Sequence, residues 1–148
     1  MQADARENAA LLPRQIGVGY RFTKIHPFDP RQVSAFANAA GDDNPLHHDT
    51  DAAARSRYGK PIVSGTHTSA LLMGLVASHL SKTSQVVGVS FTLEFLKPVF
   101  ADEQVTLAWE VETIEPHPRS GNFLGMSGSV TGADGTIRVR SRGRVLMW

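Results

Sequence analysis

The sequence predicts an α+β domain in which one long helix is buried beneath a curved antiparallel sheet. Two observations carry that reading. From Ser64 to about Leu80, the residues Ala70, Leu71, Leu72, Met73, Leu75, Val76, Ala77 and Leu80 surround a helix with no wide polar stripe, and a helix apolar on nearly every side is buried. From Gln85 onward the chain turns to long β-type runs separated by Pro98, by residues 116–121 and by residues 132–135, which are turn compositions. A single apolar helix followed by consecutive strands closes as a sheet around that helix.

The elements follow in order. Residues 1–13 are polar or weakly helical and read as a loose arm, leaving 14–148 as one domain. Residues 20–25 alternate like a first strand. Pro27, Asp29 and Pro30 make a helix entrance, Val33, Phe36, Ala37 and Ala40 fall at helical spacing, and Gly41 is the stop. Alanines favour a short helix from about Thr50 to Arg55, and Ser64 is placed to cap the long helix. Strands are expected over 89–95, 105–111, 123–130 and 137–147, with Trp109 in the core and Trp148 packing at an edge. Arg138, Arg140, Arg142 and Arg144 recur at period two, so they share one face of a strand. That face is expected to be the solvated outer side, discouraging edge pairing.

Size and charge narrow the function. A chain of 148 residues holds one domain with a true core. Fifteen basic against 14 acidic residues give a net charge of +1, which offers no bulk attraction for nucleic acid or an anionic membrane. The absence of cysteine excludes disulfides and thiolate nucleophiles and suits a reducing cytoplasm. The first residues lack an apolar signal core, and the apolar stretch from Ala70 to Ala77 falls short of the roughly 20 residues a membrane helix needs. A soluble cytoplasmic protein is expected.

The chemistry concentrates between Gly41 and Ala53. Pro45 keeps Asn44 out of the α region, so the chain leaves its helix as an extended turn across which Asp42 and His47 can face each other. A carboxylate and an imidazole about 3 Å either side of one water can polarise it for attack and return a proton. Asn44 reads as a residue that pins the loop, since its amide does not titrate. Gly65 opens the long helix, where unpaired amides favour an anion and the missing side chain admits a carbonyl. Ser64 and His67 stand beside it as supporting or substrate-binding candidates, His67 either lining a pocket or packed. No metal site is expected: His47 and His48 point to opposite sides of an extended loop, and Asp43, His48, Asp49 and Asp51 read as solvated loop charge.

Three blocks of this chain resemble the MaoC-like, or (R)-specific enoyl-CoA hydratase, family. Phe36, the run Gly41-Asp42-Asp43-Asn44-Pro45-Leu46-His47, Asp49 and Ala53 fit its signature in order. Residues 56–65 look like its link into the central helix, and Phe95-Leu96-Lys97-Pro98-Val99-Phe100 resembles its strand-ending segment. Two departures stand out: Ser64 replaces the family's usual histidine, and Ala101-Asp102-Glu103 replaces Pro-Gly-Asp. The resemblance implies a hot-dog fold and a water, held by Asp42 and His47, that adds to a trans-2-enoyl thioester to give the (R)-3-hydroxyacyl thioester. It implies no metal or redox cofactor, coenzyme A or a carrier's phosphopantetheine being part of the substrate. It also implies a homodimer, or a multiple of dimers, joined sheet edge to sheet edge. The rivals are a hot-dog thioester hydrolase and a non-catalytic acyl-thioester binding or regulatory module.

Overall fold

The computed structural model describes residues 16–148, so the arm expected over 1–13 lies outside the described residues. In chain order the elements are β1 (Arg21–Pro27), α1 (Pro30–Ala39), a 3-10 turn (Pro45–His47), α2 (Thr50–Arg55), α3 (Gly65–Leu80), β2 (Val86–Phe95), β3 (Gln104–Pro116), β4 (Asn122–Thr131) and β5 (Ile137–Met147). Both expected helix starts are built as the sequence suggests. The Asp29 side chain accepts from the Gln32 amide ahead of Pro30, and the Ser64 side chain accepts from the His67 amide. Gly41, at φ 74°, takes the left-handed turn that ends α1.

The strands form one antiparallel sheet in the order β1-β3-β4-β5-β2. The last three strands of the chain are a meander, and β1 and β2 flank it as edges. Because β1 and β2 sit on opposite edges, the chain between them must cross the sheet, and α3 makes that crossing. Leu72, Leu75, Val76 and Leu80 pack into a core with Leu107, Trp109 and Val111 from β3, Leu124 and Met126 from β4 and Val145 from β5. Alternate residues of each strand supply that face, as the pleat requires.

Trp109 anchors the helix to the sheet. It is 1% exposed, and its Nε1–H donates to the Leu72 carbonyl at 2.9 Å, so the one polar atom of the ring is satisfied. Gly128 and Gly143 make its room: a Cβ on Gly128 would stand 2.7 Å from the ring, and one on Gly143 3.2 Å from it.

Two expectations are corrected. Helix α3 is not covered all round in this chain: Thr66, Ala70, Met73 and Ala77 form an exposed stripe, Met73 at 42%, because one sheet reaches only one side of a helix. The β5 arginines do share a face, but β5 lies inside the sheet and protects no edge. Arg138 is buried rather than solvated. Its Nη1 donates to the Pro98 carbonyl at 2.9 Å, and its Nη2 meets Glu103 at 3.4 Å and Asp134 at 3.3 Å. Gly132 leaves the guanidinium its space, since a Cβ there would lie 2.5 Å from it.

Gly128→Ala is expected to destabilise the protein by about 1–3 kcal/mol, because the ring it would strike has nowhere to move. Urea melts of the variant and the parent measure the difference; an unchanged midpoint would show that Trp109 has slack.

Candidate functional site

The loop after α1 is organised almost entirely by Asp42 and its neighbours. The Asp42 amide donates to the Ala37 carbonyl at 2.8 Å, closing the helix end. Asp42 Oδ1 then accepts from the Asn44 amide at 3.0 Å. Asn44, extended at ψ 120° ahead of Pro45, accepts in turn from the Leu46 amide at 3.1 Å through its own Oδ1, an Asx turn that starts the 3-10 turn. Asn44 therefore pins the loop, as its chemistry suggests.

His47 ends that turn and is 8% exposed. Its Nδ1 lies 2.7 Å from the Ile62 carbonyl; a carbonyl only accepts, so Nδ1 carries the proton. The other nitrogen, Nε2, then presents a lone pair in the neutral ring. It lies 3.4 Å from Asp42 Oδ2. With the ring neutral, two acceptors face each other, and a molecule with two donors, such as water, can bridge them. The sequence-predicted pair is brought together.

The extended segment from Pro61 to Ser64 ties this loop to the rest of the site. The Ile62 amide donates to Leu46 at 3.1 Å, the Val63 amide to Val99 at 2.7 Å, and the Ala101 amide to Pro61 at 3.0 Å. Residues 99–101 therefore act as a backbone staple under the segment that orients His47. Ser64 is 1% exposed and caps α3, which leaves the Gly65 amide at the helix mouth with no protein acceptor among the described residues. A free amide at a helix N-terminus favours negative charge.

Gly65 lies outside the left-handed region; space is what it supplies. A Cβ there would meet the Phe95 ring at 2.9 Å. A cavity of ≈ 350 Å³ touches His47, Tyr58, Gly65 and Phe95, and a groove of ≈ 590 Å³ touches Asp42, Gly65, Met73 and Phe95. Gly65 and Phe95 thus stand between the two. Met73 carries the groove on to a further apolar slot of ≈ 240 Å³ against Val76, Val86, Phe91 and Val145. Phe95 and Tyr58 were read from sequence only as parts of family-like segments and not as site residues; for Phe95 the signal was available, since it shares the parity of Phe91 and Leu93 on the inner face of β2.

His67 does not line these cavities. It is 2% exposed, stacked on Phe36 at 4.2 Å between centroids and edge-on to Phe28 at 5.2 Å, so its part in the site is to seat α1 against α3. Burial, helped by nearby His26, lowers its pKa to about 4. His48 is not a solvated charge either: its Nδ1 meets Ser34 Oγ at 2.6 Å and its Nε2 meets the Asp42 carbonyl at 2.7 Å. Asp49 caps α2 by accepting from the Asp51 and Ala52 amides. No three His, Cys, Asp or Glu converge as a metal site among the described residues.

The family model for the MaoC like domain matches residues 12–127. The chain belongs to the MaoC-like family. A MaoC-like relative, the (R)-specific enoyl-CoA hydratase of Aeromonas caviae, is 35% identical over 102 residues, which are 68% of this chain and 75% of that protein. The 3-hydroxybutyryl-CoA dehydratase of Methylorubrum extorquens is 33% identical over 87 residues, 59% of this chain and 55% of the relative. Among solved structures, the (R)-hydratase from A. caviae involved in PHA biosynthesis superposes with a TM-score of 0.81 at 26% identity, covering 90% of this chain and 98% of that one. The MaoC-like architecture here, a helix laid on a five-stranded antiparallel sheet, is the hot-dog fold.

His67 also makes the fold sensitive to acid. Its pKa is lowered on folding, so the unfolded chain takes up a proton first as pH drops, and stability present above pH 6.5 is lost progressively toward pH 4. Thermal melts across that range should fall less steeply for His67→Gln than for the parent; equal slopes would mean that other groups dominate.

Proposed function

We propose that this protein is a hydro-lyase that reversibly adds water across the double bond of a trans-2-enoyl thioester, giving the (R)-3-hydroxyacyl thioester. The observation that carries the reading is the pair of acceptors, Asp42 Oδ2 and His47 Nε2, facing each other at 3.4 Å beside the free amide of Gly65. A water donating to both is oriented with its lone pairs toward the groove. As its oxygen attacks C3, one of its protons passes to His47 Nε2, and the electrons of the double bond move to the thioester oxygen. That enolate oxygen meets the Gly65 amide at the positive end of α3. The pair then delivers a proton to C2, so both new bonds form on the same face. The (R) configuration is the one named in the Aeromonas relative.

No electrons leave the substrate in this reaction, so the reading calls for no redox group; coenzyme A or phosphopantetheine enters as part of the substrate. The apolar groove past Met73 receives the acyl chain. No described helix is long and apolar enough to cross a membrane, and with a cysteine-free chain we place the enzyme in the cytoplasm.

The deciding experiment is incubation with crotonyl-CoA, following loss of the enoyl absorbance with free thiol assayed in parallel. Hydration without thiol release is expected; thiol release would make the protein a thioester hydrolase, and neither would leave it a binding module. Asp42→Asn and His47→Gln should each lower turnover by about 100-fold or more with the fold intact, and their combination should lose little beyond either alone. Near-normal turnover in the single variants would exclude this mechanism.

A homodimer belongs to the same proposal. Strand β2 pairs with β5 on one side only; Val89 at its bulge is exposed, and so is Phe95, which shares a groove with Met73 of α3. A second copy adding its own β2 edge would cover strand and stripe together. Light scattering should report a dimer or a multiple of it, and Val89→Lys should shift the protein toward monomer; an active monomeric parent would rule the dimer out.

A further inference from the structure

We propose that His48, together with Ser34, is a positioning residue that sets the Asp42 carboxylate. The inference rests on the hydratase reading above and extends it to groups that never touch substrate. Asp42 has its amide held by the Ala37 carbonyl and its Oδ1 held by the Asn44 amide. What remains free to move is the peptide plane between Asp42 and Asp43, and with it the direction in which Oδ2 points at His47. The Asp42 carbonyl on that plane lies 2.7 Å from His48 Nε2. Since a carbonyl only accepts, Nε2 carries the proton, and Nδ1 is left as an acceptor in the neutral ring. Ser34 Oγ, 2.6 Å away, is the donor that nitrogen requires.

The chain of donors therefore runs one way: Ser34 hydroxyl to His48 Nδ1, His48 Nε2 to the Asp42 carbonyl. Its far end is firm. Ser34 is half-buried on α1 next to Val33, at the edge of the face that Val33 and Ala37 bury, and α1 is clamped to α3 by the Phe36–His67 stack. A serine within a helix commonly turns its hydroxyl to its own backbone; here it reaches across to the loop. The two adjacent histidines thus hold opposite tautomers. His47 keeps its proton on Nδ1 and offers Nε2 to the water, while His48 keeps its proton on Nε2 and holds the acid opposite.

Three substitutions at one position separate this from a general contribution to stability. His48→Gln places an amide N–H near where Nε2 stood and keeps the bond to the Asp42 carbonyl. His48→Asn is one carbon shorter, so it reaches Ser34 and not Asp42. His48→Leu reaches neither. On crotonyl-CoA, the Gln variant is expected to stay within about 3-fold of the parent kcat, whereas the Asn and Leu variants lose about 10- to 100-fold with KM little changed, the effect of a misaimed group rather than lost binding. Amide hydrogen exchange at Asp42 and Asn44 should be faster in the Asn and Leu variants and parent-like in the Gln variant. Ser34→Ala, which leaves the loop sequence intact and favours the helix, should lower kcat by a few-fold in the same direction.

Parent-like kcat in the Asn and Leu variants would overturn the proposal, as would Asn performing as well as Gln in both turnover and exchange. A Ser34→Ala protein with normal kcat and exchange would remove the serine from it. If the parent itself leaves crotonyl-CoA unchanged, it is the hydratase reading that has failed. The amide exchange of the three His48 variants then still decides whether His48 holds Asp42.

Discussion

The apolar helix α3 can exist in water only if something covers it, and the hydrogen bond from Trp109 Nε1 to the Leu72 carbonyl fixes where that cover sits. A helix without a polar stripe has no preferred rotation on a flat apolar surface, because one buried leucine is worth about as much as the next. The indole removes that freedom. It meets a single carbonyl midway along the helix, and the glycines at 128 and 143 give the ring only one place to lie. With rotation and height set, the N-terminus of α3 comes to a defined point, with Gly65 against the Phe95 ring of β2.

The site hangs from that end of the helix. Ser64 caps the helix and the segment before it, Pro61 to Val63, is bonded to Leu46 on one side and to Val99 and Ala101 on the other. One of its carbonyls, at Ile62, selects the tautomer of His47. The same short run therefore places the helix mouth, orients the imidazole and joins both to the staple after β2. Displacing it would move the Gly65 amide and His47 together.

Much of this was legible from residues alone. Gly41 and Pro45 dictate a helix stop and an extended turn whatever surrounds them, so the facing of Asp42 and His47 followed from local sterics. Asp29, Asn44 and Ser64 each bond an amide two or three residues away, and such short-range partners are visible in one dimension. His48 and His67 were not readable in the same way. The partner that gives His48 its direction is Ser34, fourteen residues upstream on another helix, and the stack that buries His67 is made by Phe36. Arg138 kept the right face but found Glu103 and Asp134 there, a pairing that periodicity has no means of announcing.

The sequence by itself determined the class of fold, the order of its elements, the turn that holds the acid opposite the histidine and the glycine at the helix mouth, because each depends on backbone sterics, hydrophobic period or a hydrogen bond spanning a few residues. Tertiary structure alone decided which strand lies beside which, that β1 and β2 became the edges, that one stripe of α3 stays open, and that Phe95 came to lie over Gly65. Those outcomes depend on contacts between segments tens of residues apart, where many pairings satisfy the same pattern of apolar residues and only simultaneous packing of all of them selects one.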